Sequence, residues 1–197
     1  VLRQISINAV IALGMTPVLL TGGIDLSVGS VVAAAGCTAA ILMVNGMPIW
    51  LGIAAGIGFG ALVGLINGTI IARAGLPPFI VTLTSMMFFS GLAIALTQSR
   101  NIGALPAAFN ALGGNAWLTL AIAIVAGAGV HVMLARSLWG RWLYAVGHNP
   151  RVARVSGVPV PGVVIGAYVA SGVLAAAASV LYTGQAESGS PVLAQRL

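Results

Sequence analysis

Residues 49–72 read IWLGIAAGIGFGALVGLINGTIIA, a stretch without a charged side chain. A helix crossing about 30 Å of hydrocarbon needs roughly 20 apolar residues, so this stretch is long enough to span. Membrane strands alternate apolar and polar residues; here the apolar run is continuous, which selects a helix. Gly52, Gly56, Gly60, Gly64 and Gly68 recur at every fourth position, with Gly58 and Asn67 beside them. Residues four apart share a helix face, and a face of small residues lets a second backbone approach closely in lipid. The stripe therefore reads as a helix-packing surface.

Similar runs flank it. Residues 5–21, 26–44, 79–96, 116–135 and 162–183 are predicted to form further spans, the first weakened by Pro17. The composition agrees: 59% of the 197 residues are hydrophobic, 5% are charged, and the mean hydropathy is +1.10. A soluble domain keeps roughly a quarter of its residues charged. The fold class expected is all-α, a polytopic transmembrane helical bundle of about six spans, forming a single domain over residues 1–197. The chain starts on Val1 without an initiator Met and stops on Arg196-Leu197, and it is expected to be a fragment.

The formal net charge of +6 comes from arginines scattered between long uncharged runs. They form no basic face, so nucleic acid is not expected as a partner. Topology accounts for them better. The loop 136–158 carries Arg136, Arg141, Arg151 and Arg154 and no acid. The positive-inside rule puts that loop in the cytoplasm. Counting back by parity puts Arg73 inside as well, with Arg100, Glu187 and the C-terminal stretch outside. Cys37 is alone, so no disulfide framework is implied.

Absences narrow the chemistry. There is no lysine, hence no Walker A lysine and no Schiff base. The acids are Asp25 and Glu187, far apart in sequence, so paired-carboxylate catalysis is not expected. His131 and His148 have no clustered partners for a metal. No catalytic, cofactor-binding or metal-ligating residue is assigned, and the chain is not read as an enzyme. Asp25 and His131 are both expected near the membrane interfaces.

Two stretches stand out. In Thr21-Gly22-Gly23-Ile24-Asp25-Leu26-Ser27 the adjacent glycines break a helix, and Asp25 or Ser27 can cap the next one. This is either a plain N-cap at the membrane edge or a discontinuous helix whose freed backbone faces a cavity, since irregular backbone at membrane depth survives only inside protein or beside water. In the loop 136–158, Asn149-Pro150 reads as a helix start and Gly157 as its end, giving a small helix over 150–156. Its arginines either serve only to fix orientation or form a docking element for an acidic partner. Pro77-Pro78 presets the start of the span at 79–96.

At these residues the chain resembles the ribose/xylose/arabinose-type ABC permeases. Leu13 to Thr16 running into Thr21 to Ser30, Pro77 to Leu83, and Gly140 to Gly157 resemble three blocks of that family in order, over about residues 7–191. The resemblance implies the middle part of a longer permease in a bacterial inner membrane, paired as a dimer. It also implies cytoplasmic ATP-binding-cassette ATPase subunits and a periplasmic sugar-binding protein as partners. It assigns Gly22, Gly23, Asp25 and Ser27 to a helix break beside the translocation path. Arg141, Gly147, Asn149, Pro150, Arg151, Ala153, Arg154 and Gly157 fall to an ATPase-coupling loop. Another cargo, such as a branched-chain amino acid or a nucleoside, an ATP-independent carrier, and a purely structural subunit stay open as alternatives.

Overall fold

The structure, a computed structural model, describes residues 1–192; Arg196 and the end of the expected domain lie outside the described residues. Nine helices are present among them: α1 (Leu2–Leu20), α2 (Val28–Val44), α3 (Ile49–Ala74), α4 (Pro78–Thr97), α5 (Ala107–Gly114), α6 (Ala116–Arg136), α7 (Leu138–His148), α8 (Pro150–Val155) and α9 (Val160–Ala186). Five of these are long and apolar enough to cross a membrane, and α2 is a shorter apolar helix. All six expected apolar segments are found as helices, five of them long enough to cross, with ends within a few residues of those read from hydropathy. The protein is an all-α, multi-pass membrane protein.

Helix ends follow local chemistry. Gly75, at φ 68°, terminates α3 in the left-handed conformation, and Pro78 opens α4. Asn115 caps α6 by accepting from the backbone N–H of Trp117 and Leu118. Asn149 caps α8 by accepting from Arg151 and Val152 at 3.0 and 3.1 Å, and Gly157 follows the helix at φ 84°. The small helix expected at 150–156 is thus present. The sequence reading did not anticipate α5 or α7, each too short to register as an apolar run.

The bundle is organised around α9, which packs against α1, α2, α3, α5 and α7. Its contact with α3 is the most extensive and uses the glycine stripe. A Cβ on Gly60 or Gly64 would collide with the carbonyl oxygens of Gly172 and Tyr168, and one on Gly68 would lie 2.8 Å from the Ile165 Cα. The other end of the stripe faces α2: Gly52 meets Met43 and Ala39, and Gly56 meets the Ala35 carbonyl. One helix face therefore serves two neighbours in succession. Gly14 brings α1 onto α9 in the same way, beside Leu174 and Ser171.

Charge is segregated along the bundle. Arg73, Arg136, Arg141, Arg151 and Arg154 all lie at the end where α3 and α6 finish and α9 begins, and all are exposed. Arg3 lies at the opposite end, where its guanidinium donates to the Gly114 carbonyl at the end of α5. Ile102 and Gly189 close a short antiparallel bridge at that same end.

Gly60→Leu is expected to abolish recovery of monodisperse protein from membranes, whereas Gly58→Leu leaves recovery unchanged, because a Cβ at Gly58 meets nothing within 4 Å. Size-exclusion chromatography of detergent-solubilised variants distinguishes the two.

Candidate functional site

Between α1 and α2 the chain leaves helical structure at Thr21 and re-enters it at Val28. The two glycines serve different needs. Gly22 adopts φ 79°, which only glycine holds without strain. Gly23 is needed for space: a Cβ there would stand 2.5 Å from the Tyr168 hydroxyl. Together they aim the following residues into the bundle.

Asp25 is 4% exposed and becomes the terminus of a hydrogen-bond chain. Its Oδ1 accepts from the Ser27 amide at 3.0 Å and from the Ser27 hydroxyl at 2.6 Å, and its Oδ2 accepts from the Ser171 hydroxyl of α9 at 2.8 Å. The Ser27 oxygen in turn accepts from Asn67 Nδ2 of α3 at 3.0 Å, and Asn67 Oδ1 accepts from the Ser85 hydroxyl of α4. Each donor in the series Ser85, Asn67, Ser27 points toward the carboxylate, so the bonds polarise one another in a common direction. Thr82 of α4 adds a bond to the Ile24 carbonyl at 3.1 Å. The break is thereby tied to α3, α4 and α9.

The site lies deep. At about 1.5 Å per residue, Asn67 is ~10 Å from the end of α3 and Ser171 is ~17 Å from the start of α9. Asp25 is thus enclosed by the bundle rather than left at its surface. The Gly22-Gly23 turn carries the chain back into the bundle, where Gly23, Asp25 and Ser27 are all buried. Ser27 holds the N-cap position of α2, yet its hydroxyl makes no cap bond and donates to Asp25 instead. His131 is on the exposed face of α6. Among the described residues no group of three or more His, Cys, Asp or Glu side chains could hold a metal.

The loop 136–158 is two helices, α7 and α8, packed on the arginine-rich end. Ser137 caps α7 by accepting from the Gly140 amide at 2.9 Å. Leu143 and Val146 of α7 and Ala153 of α8 are buried in one cluster with Val18 of α1 and Val163, Ala167 and Tyr168 of α9. Gly147 rests against the Leu20 carbonyl so closely that no Cβ would fit. Arg151, Val152, Arg154 and Val155 remain exposed on α8, and Arg141 on α7. The structure thus joins the two stretches singled out in the sequence: α7 touches α1 just ahead of the break, and Tyr168 belongs both to the cluster under α7 and to the packing around Gly23. The glycine stripe is a third partner, since Gly64 lies against Tyr168.

Ser171, Ser85 and Tyr168 were not picked out by the sequence reading. Serines and tyrosines are common in apolar helices, and only the fold brings these to Asp25. Asn67 carried a usable signal, being a lone amide within the apolar stretch 49–72.

The chain is similar in sequence to several curated permeases. Ribose import permease protein RbsC of Bacillus subtilis (strain 168) is 36% identical over 199 residues, covering 96% of this chain and 61% of its own length. L-arabinose transport system permease protein AraH of Escherichia coli (strain K12) is 36% identical over 196 residues, covering 95% of this chain and 58% of its own. Fructose import permease protein FrcC of Rhizobium meliloti is 34% identical over 208 residues, covering 99% and 58%. The chain therefore spans about three-fifths of the length of these curated relatives. No solved structure matches it. The family described as branched-chain amino acid transport system / permease component matches residues 1–195, and the chain belongs to that family.

Proposed function

We propose that this chain is the central part of the membrane-spanning permease of an ATP-binding-cassette importer that moves a neutral monosaccharide into a bacterial cell across the inner membrane. The observation that carries the reading is the identity of 34–36% to ribose, arabinose and fructose import permeases across nearly the whole chain. The family description mentions branched-chain amino acids; the near-complete overlap with sugar permeases favours the sugar branch. ATP is hydrolysed in separate subunits, and a periplasmic binding protein delivers the sugar to a permease dimer.

The arginine-rich end faces the cytoplasm by the positive-inside rule. There α8 offers Arg151 and Arg154 with Val152 and Val155 on an exposed surface. Basic and apolar groups together suit a protein partner carrying acidic residues around an apolar groove. Displacement of α7 and α8 by that partner acts on the Leu20 carbonyl through Gly147 and on Tyr168 through Leu143 and Val146. The pathway carries an uncharged cargo, so hydroxyl and amide groups serve as its partners.

Reconstitution of the full-length permease with its ATPase and binding protein, followed by uptake of radiolabelled ribose, arabinose and fructose, tests the reading; no uptake of any of them would overturn it. In that system Arg151→Glu combined with Arg154→Glu is expected to release the ATPase from the purified complex and to cut uptake to background. Gly147→Val is expected to leave the ATPase bound and hydrolysing ATP while uptake falls about tenfold or more, because the valine side chain pushes α7 off the end of α1. Wild-type uptake by the Gly147→Val complex would remove the proposed coupling contact.

A further inference from the structure

A cavity of about 390 Å³ opens beside the break, walled by Asn8, Ile11 and Met15 of α1, by Asp25 and Leu26, and by the first turn of α2. Sites for small molecules occupy roughly 300–1,000 Å³ and pair apolar walls with a few polar groups, and this cavity fits that description. Its polar groups are only partly used. A carboxylate offers about four acceptor positions, and Asp25 receives three donors, leaving one position. Asn8 accepts from Gln4 through its carbonyl at 3.4 Å, which leaves its amide N–H groups as donors. One wall thus accepts and another donates, while Ile11, Met15 and Leu26 present apolar surface between them.

We propose that this cavity holds the transported molecule during passage, taking one monosaccharide with a ring hydroxyl donating to Asp25, a second hydroxyl accepting from Asn8, and the C–H face of the ring against Met15 and Ile11. This rests on the reading of the chain as a sugar permease and adds the residues that meet the sugar. A dehydrated metal cation fits less well. It requires several oxygen ligands, whereas Glu187, the only other acid in the chain, lies at the opposite end of the bundle. Three donors already occupy Asp25, and the one acceptor position left of about four matches a single hydroxyl. The location also suits a transit site: Asp25 is the residue on which the bonds from Ser171, Ser27 and, through Ser27, Asn67 converge. Movement of the break therefore changes the cavity wall directly.

The test uses the full-length permease assembled with its ATPase and binding protein in proteoliposomes, with ribose, arabinose and fructose as probes. Met15→Trp fills the cavity. Leu19→Trp adds the same bulk on the same helix at a position 57% exposed and outside the cavity. Met15→Trp is expected to reduce uptake about tenfold or more, the scale of a lost contact or two, while Leu19→Trp transports like the wild type and all complexes assemble equally. Asn8→Leu, at an exposed position, removes the donor without adding bulk and is expected to lower uptake in proportions that differ among the three sugars. If Met15→Trp fails to assemble, Asn8→Leu decides. Wild-type uptake of all three sugars by Asn8→Leu and by any assembled Met15→Trp complex would overturn the proposal. A wild-type complex that moves none of the probes would instead overturn the sugar-permease reading, and the substrate class assigned to the cavity with it.

Discussion

A carboxylate inside a membrane protein must be surrounded by donors, and the satisfaction of Asp25 constrains the whole bundle. Leaving such a group without partners in a low-dielectric interior costs several kcal/mol by any account. Here the partners come from the break itself, through Ser27, and from α9, through Ser171, with Asn67 of α3 and Ser85 of α4 completing the chain behind Ser27. Four parts of the fold are therefore held in one register by a single acidic side chain. A shift of any of these helices by one residue would turn its polar group away from the chain and leave apolar surface in its place.

The donors are short, and this is where the glycines enter. A serine hydroxyl reaches only one bond beyond Cβ, so α9 must lie close to the break for Ser171 to meet Asp25 at 2.8 Å. Gly60, Gly64 and Gly68 let the α9 backbone settle directly on α3, and Gly14 lets α1 approach α9 beside Ser171. In lipid no hydrophobic drive pulls one apolar helix onto another, so close backbone packing and interhelical hydrogen bonds provide the association. Both are present at the same contact, each made possible by the other. Larger residues on the stripe would separate α3 from α9 and draw Ser171 away from the carboxylate.

Much of this was legible in the sequence. The six apolar helices follow from hydropathy, five of them long enough to match the bilayer, and the stripe from Gly52 to Gly68 announced a packing face by its period. Asn149-Pro150 and Gly157 delimited α8, because caps depend on local backbone chemistry. What stayed hidden depends on contacts distant in sequence: Ser171 is 146 residues from Asp25. The burial of Asp25 has no hydropathy signature, because it depends on where the chain turns back into the bundle. Gly22 and Gly23 marked the turn, but only the fold separates their roles, one set by φ and the other by the Tyr168 hydroxyl. Helix α7 escaped notice because its buried residues, Gly140, Leu143 and Val146, are too few to form an apolar run.

The placement of α7 gives the break a mechanical connection to the arginine-rich end. An α-helix leaves its last carbonyls without intrahelical partners, and the Leu20 carbonyl, in the last turn of α1, faces Gly147. Beside Gly147, Leu143 and Val146 share a cluster with Val18 and Tyr168, and Ala153 of α8 belongs to it too. A packed cluster resists compression, so displacement of α7 and α8 must be taken up by the end of α1 or by Tyr168. Both border Gly23, two residues ahead of Asp25. The contacts at Val18 and Tyr168 therefore form the shortest packed route from α7 to the segment that carries the carboxylate.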